Sequence, residues 1–283
     1  MHAGFIGLGH LGKAIAGRLL ECGHTLNVWN RTPEKTVGMA ANIAASPAAV
    51  AENAEMIFLC LFESRAVREV LTTMDGLLGA AGGKTIIDLT TNHFREVLDF
   101  HVLCKQAGAA YLEAPVLGSV VPATQGALTI LVSGDRKRFE QFKPLLNDLA
   151  ANLFFLGDPG LATRMKLINN LTLASFMATL AEAVALGEAA GIEKADILDI
   201  LSAGGGNSMV LNAKKAKLLN EDFSTHFSNA LIYKDLHCLQ DLAFELKKPL
   251  FTAAAVKELF ARTFEEGIDA EDFSAIYKLF KKT

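Results

Sequence analysis

"FIGLGHLGKAIAGRLL", Phe5 to Leu20, sets three glycines between a short apolar run and an amphipathic one. Gly7, Gly9 and Gly12 stand in GxGxxG spacing, and each has its own physical reason. The first permits a tight turn out of a strand. The second lets the backbone approach a pyrophosphate, and the third lets helix and strand pack closely with the phosphates at the helix N-terminus. The bare motif is common; its position after a strand and before a helix is what a dinucleotide site requires. The intervening Leu8, His10 and Leu11 join the glycines as candidate cofactor contacts, His10 as a spacer beside the phosphates rather than a catalyst. The competing reading is a glycine-rich turn kept for packing.

Working outward, the runs "AGFIG", "TLNVW", "MIFLCL", "TIIDL", "AYLEA", "LTILVS" and "NLFFL" alternate with helical stretches such as "DRKRFEQFKPLLNDLA". That alternation is the mark of βαβ units wound into a mostly parallel sheet. After Gly160 it stops, and the rest carries only helical periodicity, opening with the long apolar "RMKLINNLTLASFMATLAEAVALGEAAG", Arg164 to Gly191. The shift predicts a doubly wound α/β domain over residues 1–161 and an all-α domain over residues 162–283, joined by that long helix.

Composition limits the function. The 283 residues are 51% hydrophobic and 20% charged, enough for one large core or two smaller ones. A net charge of −4 gives no footprint for nucleic acid or anionic lipid, so neither is an expected partner. No apolar run of membrane-spanning length is expected, and a strand starting by the sixth residue leaves no room for a leader. Cys22, Cys60, Cys104 and Cys238 have no CxxC spacing, and the seven histidines form no HxxxH or HExxH arrangement. A metal site is therefore not expected, and a reduced cytoplasmic compartment fits best.

The end of the second strand selects the cofactor. NAD sites usually place an acid there for the ribose 2′-hydroxyl, but "VWNRTPEK" supplies Asn30, Arg31 and Thr32. An acid would repel a 2′-phosphate, whereas a guanidinium pairs with it through two hydrogen bonds, which favours NADP(H) over NAD(H). The alternative makes Arg31 a solvated loop residue, with Thr32 and Pro33 starting the next helix. Leu61 and Phe62, closing "MIFLCLF", are further candidate cofactor contacts.

Several segments together resemble the β-hydroxyacid dehydrogenase family, especially its glyoxylate and succinic semialdehyde reductase branch. Besides the glycine fingerprint and "WNRT", these are "IIDLTT", "EAPVLGSVVPATQGALTILVSGD", "GDPGLATRMKLINN" and "YKDL". The resemblance covers nearly the whole chain. It implies a Rossmann domain, an all-α substrate and dimerisation domain, and a homodimer or homotetramer paired through the helices. It also implies that Thr91 contacts the nicotinamide side, that Phe227 walls the pocket, that Lys234 reaches the cofactor and that Asp235 lines the site.

Chemistry alone gives a compatible account. Hydride transfer to an aldehyde or ketone leaves a developing alkoxide that needs a proton donor within hydrogen-bond reach. The Lys166 ammonium can polarise the carbonyl and then protonate its oxygen. Asn170, four residues on, shares its helix face and can hold the substrate oxygen or the lysine. Asn169 points elsewhere and reads as a partner for nearby backbone. The bland reading of Lys166 is a solvated lysine on an exposed turn; its apolar neighbours Met165, Leu167, Ile168 and Leu171 argue for a cleft instead. In "APVLGS" the successive amides of Leu117, Gly118 and Ser119 suggest a concavity for a substrate carboxylate. The family pattern usually has serine where Leu117 stands, so this chain takes either a small acid held by backbone or a less polar substrate; the loop also reads as a plain crossover. For Lys234 and Asp235 the alternative is an exposed charge pair. The expected function is NADPH-dependent reduction of small carbonyl acids, or oxidation of a short hydroxy acid. Its rivals are a non-catalytic cofactor-binding scaffold and an imine or aldehyde reductase.

Overall fold

The computed structural model describes residues 1–52 and 54–281. Its chain packs as two compact units, Met1–Lys166 and the remainder from Leu167 onward.

In the first unit, nine strands among the described residues form one sheet: β1 (His2–Ile6), β2 (Thr25–Trp29), β3 (Asn42–Ile43), β4 (Met56–Leu59), β5 (Thr85–Asp88), β6 (Ala110–Glu113), β7 (Val116–Leu117), β8 (Leu128–Gly134) and β9 (Ala150–Gly157). Their order is β3-β2-β1-β4-β5-β6-β8-β7, with β9 beside β8. Pairing is parallel from β3 to β6 and antiparallel where β8 meets β6 and β7. Each of the seven apolar runs is a strand. The two-residue β3 and β7 are additional, too short to leave a period-2 pattern in the sequence.

Helices α1 (His10–Glu21), α2 (Pro47–Ala51), α3 (Ser64–Thr72), α4 (Glu96–Gln106), α5 (Val120–Thr124) and α6 (Arg136–Asn147) complete this unit. Because strand side chains alternate, Phe5 and Phe58 pack with Ile15 and Leu19 of α1 and with Phe139 and Phe142 of α6. Their neighbours Ile6, Ile57 and Leu59 pack on the other face with Val67 and Leu71 of α3 and Val97 and Phe100 of α4. All four residues of β4 and of β5 are buried, as strands covered on both faces must be. Strand order runs outward in both directions from β1 and β4, so the switch point lies beyond their carboxyl ends. In such sheets that is where ligands bind.

The second unit is helical: the rest of α7 (Leu161–Ala189), then α8 (Lys194–Ala203), α9 (Met209–Asn220), α10 (Asn229–Glu245), α11 (Phe251–Glu265), a 3-10 turn Phe273–Ile276, and α12 (Tyr277–Lys281). Ser208 and Ser228 cap α9 and α10 by accepting from Leu211 and Leu231 amides. The chain leaves α10 four residues before Pro249, with Lys247 left-handed at φ 54°. One expectation is corrected: α7 is long and apolar enough to cross a membrane by length and composition. Its few charges hid that. The same apolarity serves a core, since Ala174, Met177, Ala181 and Val184 are fully buried.

Candidate functional site

At the switch point the three glycines do three separate jobs. Gly7 has φ 101°, and a Cβ there would stand 2.3 Å from the Cys60 carbonyl oxygen. A Cβ on Gly12 would stand 2.0 Å from the Gly7 carbonyl oxygen, so α1 seats against the turn only because both lack side chains. Gly9 is exposed, and nothing lies within 4 Å of where its Cβ would be. It is also the N-cap of α1, with no side-chain cap and no acidic residue in the first turn. Open space thus faces the positive end of the helix dipole, a setting that fits a pyrophosphate. His10 is exposed and Leu11 half-buried in that first turn.

Leu8 is buried, and its amide donates to Asn30 Oδ1 at 2.8 Å, while Asn30 Nδ2 donates to the Thr32 carbonyl at 2.9 Å. One amide side chain therefore joins the turns after β1 and β2. The Arg31 side chain is 82% exposed and lies 3.8 Å from Glu69, whose other oxygen is 3.8 Å from Arg65. Thr32 leads into Pro33, the first residue of a 3-10 turn.

Next along the sheet, the Leu61 amide donates to Thr90 Oγ1 at 3.0 Å, and Phe62 is 51% exposed. The Thr90 amide donates in turn to Asp88 Oδ1 at 2.9 Å. Asn92 Nδ2 and the Tyr111 hydroxyl donate to Asp88 Oδ2 at 2.7 and 2.5 Å. Burial lifts the Asp88 carboxyl above the usual range, against the opposing pull of these donors. Asp88 thus organises the loop carrying half-buried Thr91. It stood in "IIDLTT" but carried no signal of that role, because the Tyr111 hydroxyl that joins the local donors comes from the next strand.

The chain leaves β6 through Glu113 into β7, where Leu117 sits opposite Thr129 of β8. Leu117 is half-buried; Gly118 is exposed at φ 117°, and a Cβ there would press on Leu128 at 2.9 Å. Ser119 is the N-cap position of α5. Glu113 itself is 1% exposed and accepts from the Thr163 amide at 2.9 Å, the Thr163 hydroxyl and the Gly160 amide. Sequence reasoning did not single it out. Three residues beyond Thr163 comes Lys166, 7% exposed and so not a solvated surface lysine.

In the second unit Asn170, fully buried, donates to Asp235 Oδ2 at 2.6 Å. Asp235 Oδ1 pairs with Lys234 Nζ at 2.7 Å, with side-chain exposures of 1% and 15%, so a buried carboxylate meets a half-buried ammonium and not an exposed one. Asn169 is not a partner for backbone: its Nδ2 donates to Asn170 Oδ1 at 3.2 Å. That bond fixes which way the Asn170 amide points, nitrogen toward Asp235. Phe227 is half-buried, its ring edge-on to Phe273 at 5.8 Å, and its amide donates to Asp272 Oδ2 at 3.2 Å. Against the desolvation that burial imposes, Lys214 and Ser274 hold the Asp272 carboxyl below the usual range.

Residues 2–157 match a family model described as the NAD binding domain of 6-phosphogluconate dehydrogenase. Residues 160–280 match one described as the NAD-binding of NADP-dependent 3-hydroxyisobutyrate dehydrogenase. The chain belongs to the β-hydroxyacid dehydrogenase family, and its first unit is an NAD(P)-binding domain of the Rossmann type. Among curated relatives, cytokine-like nuclear factor N-PAC of Mus musculus is 34% identical over 278 residues, covering 98% of this chain and 50% of that protein. The chain thus spans about half the length of the N-PAC proteins it matches. Glyoxylate/succinic semialdehyde reductase 2, chloroplastic, of Arabidopsis thaliana is 30% identical, covering 98% of this chain and 79% of that one. A solved structure described as Psf3 in complex with NADP+ and 2-OPP superposes with TM-score 0.91 at 27% identity, covering 98% of this chain and 99% of that one.

Proposed function

We propose that this chain is an NADPH-dependent reductase of small carbonyl acids, with glyoxylate and succinic semialdehyde as the first substrates to try, or catalyses the reverse oxidation of a short hydroxy acid by NADP+. The observation that carries the reading is the placement of Lys166 and Asn170 four residues apart on α7, both buried, with Asn170 oriented by Asp235. A buried ammonium and a fixed amide thus share one helix face. They suit an alkoxide forming next to them.

The cofactor, when bound, supplies the hydride. Gly7 through Gly12 seat its phosphates, Arg31 takes the 2′-phosphate, and Leu61, Phe62 and Thr91 border its further length. Asn30 and Leu8 act one step back, holding the loops together. Lys166 donates a proton to the carbonyl oxygen, and Asn170 holds that oxygen or the lysine. Leu117, Gly118 and Ser119 grip the carboxylate, Phe227 walls the substrate space, Asp235 aims Asn170, and Lys234 balances Asp235 and reaches the cofactor. The relative from Arabidopsis thaliana supports the substrate class by its name, and the NADP+ in the Psf3 structure supports the cofactor. Homodimers or homotetramers would cover exposed apolar side chains of the helical unit such as Ile200, Met209, Phe244 and Phe251. Four free cysteines suit a reducing compartment such as the cytoplasm, although the plant relative is named chloroplastic.

The test is Lys166→Ala, assayed by NADPH oxidation against glyoxylate and succinic semialdehyde. Turnover should vanish while NADPH binding stays within about twofold; retained turnover removes the proton-donor role. The second reading is a cofactor-binding scaffold without turnover; its support is that the N-PAC relatives carry the name of a nuclear factor and not of an enzyme. It predicts NADPH binding with no oxidation of it by any small carbonyl acid.

A further inference from the structure

The first four amides of a helix have no acceptors within it, and their placement is decided by whatever accepts from them. At the start of α7 three of those four amides meet side chains from two strands of the same unit. Glu113, at the end of β6, takes the Gly160 amide on one carboxylate oxygen and the Thr163 amide and hydroxyl on the other. Ser133, on β8, takes the Ala162 amide at 3.0 Å. The Leu161 amide turns back to the Asp158 carbonyl. His101 Nε2 stands 3.8 Å from Glu113, beyond hydrogen-bond length, whereas the donors within that length come from the start of α7.

We propose that Glu113 is a positioning residue that fixes the axial and rotational setting of the first turns of α7, up to the Lys166 ammonium. The inference rests on Lys166 being the proton donor. A single capping oxygen would leave the helix free to turn about one hydrogen bond. Two oxygens of one buried carboxylate, set on amides three residues apart, remove that freedom. Lys166 follows Thr163 by three residues, about 4.5 Å along the axis, so it inherits the setting with little chance to relax. A slip of one residue would carry it about 1.5 Å along and about 100° around the helix, where a displacement near 1 Å already costs on the order of 100-fold in rate. The carboxylate therefore need not touch substrate to matter for turnover.

The experiment compares Glu113→Gln, Thr163→Val, Thr163→Ser and Lys166→Ala with the unaltered protein. Each is measured for kcat, KM of the carbonyl acid, Kd of NADPH, and hydrogen exchange of the amides from 160 to 166. In Glu113→Gln one carboxylate oxygen becomes an NH2 group facing donors. Exchange of the first-turn amides of α7 should rise roughly tenfold or more while those of β1, β4 and β5 stay unchanged. Turnover should drop roughly 10- to 100-fold with NADPH Kd within twofold. Thr163→Val should follow in the same direction, and Thr163→Ser, which keeps the hydroxyl, should restore most of the activity. Should Glu113→Gln fail to fold, Thr163→Val tests the same clamp. Unchanged exchange at 160 to 166, or kcat within twofold of the original while Lys166→Ala is inactive, overturns the positioning role alone. A parallel loss of NADPH affinity also overturns it, by marking general damage to the sheet unit. If Lys166→Ala keeps its turnover, the proton-donor reading is what fails, and the inference goes with it.

Discussion

Gly9→Ala and Gly12→Ala make a pair that separates stability from binding within one turn of chain. On Gly12 the new methyl starts 2.0 Å from a backbone oxygen, against a floor near 3.0 Å for real Cβ contacts. Either α1 or the turn after β1 must then retreat by about 1 Å, into a close-packed face containing Ile15 and Leu19. Overpacking of this kind costs about 1 to 3 kcal/mol, and a backbone partner puts it near the upper end. For a unit of this size that is a fall in Tm of about 5 to 10 °C. On Gly9 the methyl meets nothing, and the backbone has an ordinary φ of −68°, so the apo protein should lose less than about 1 kcal/mol. What it fills is the space through which a pyrophosphate reaches the amides of α1. NADPH Kd should rise roughly 10- to 100-fold, about 1.4 to 2.8 kcal/mol. Thermal unfolding of the apo proteins and fluorescence titration with NADPH check both halves. If Gly9→Ala binds NADPH as the original does, or melts as low as Gly12→Ala, the assignment of that space to the cofactor is wrong.

Other expectations are read from single contacts. Arg31→Ala should weaken NADPH at least tenfold more than NADH in equilibrium titrations, whereas equal losses would contradict the 2′-phosphate contact. Hydrogen bonds from Lys194 and Lys281 pull the Glu221 carboxyl down to about 2 from a reference of 4.5. Its folded pKa is depressed, so its contribution is complete above about pH 4.5 and disappears as pH falls toward 2. Glu221→Gln should flatten the acid side of the stability profile in that window, by less than about 1 kcal/mol for so exposed a group. Lys214→Met leaves Asp272 buried without its cation, and should cost about 3 kcal/mol or more in denaturant unfolding.

What the sequence disclosed is what depends on near neighbours. The glycine spacing announced its turn because strand, turn and helix follow one another directly in the chain and Gly12 packs on Gly7 five residues back, and strand alternation showed because burial on two faces is written residue by residue. Lys166 and Asn170 could be matched by helical period alone. Glu113 could not: its acceptors' partners lie 47 and 50 positions away, and a glutamate ending a strand looks like any other. Asp88 was hidden likewise, since its Tyr111 donor comes from the next strand. Asn169 was given backbone partners because period predicts a side chain's direction but not the side chain it meets. The start of α7 fell three residues earlier than its apolar pattern suggested, at the point where the sheet begins to accept its amides.

If Arg31 selects NADP(H) as proposed, Asn30 constrains how this chain could change its cofactor. An engineer wanting an NAD enzyme would first write aspartate there, as such enzymes have. Aspartate keeps the bond from Leu8 but has no hydrogen to give Thr32, so the new specificity would arrive with a loosened rim. Exchanging Arg31 alone leaves that rim intact, which makes it the shorter road for selection as well as for design.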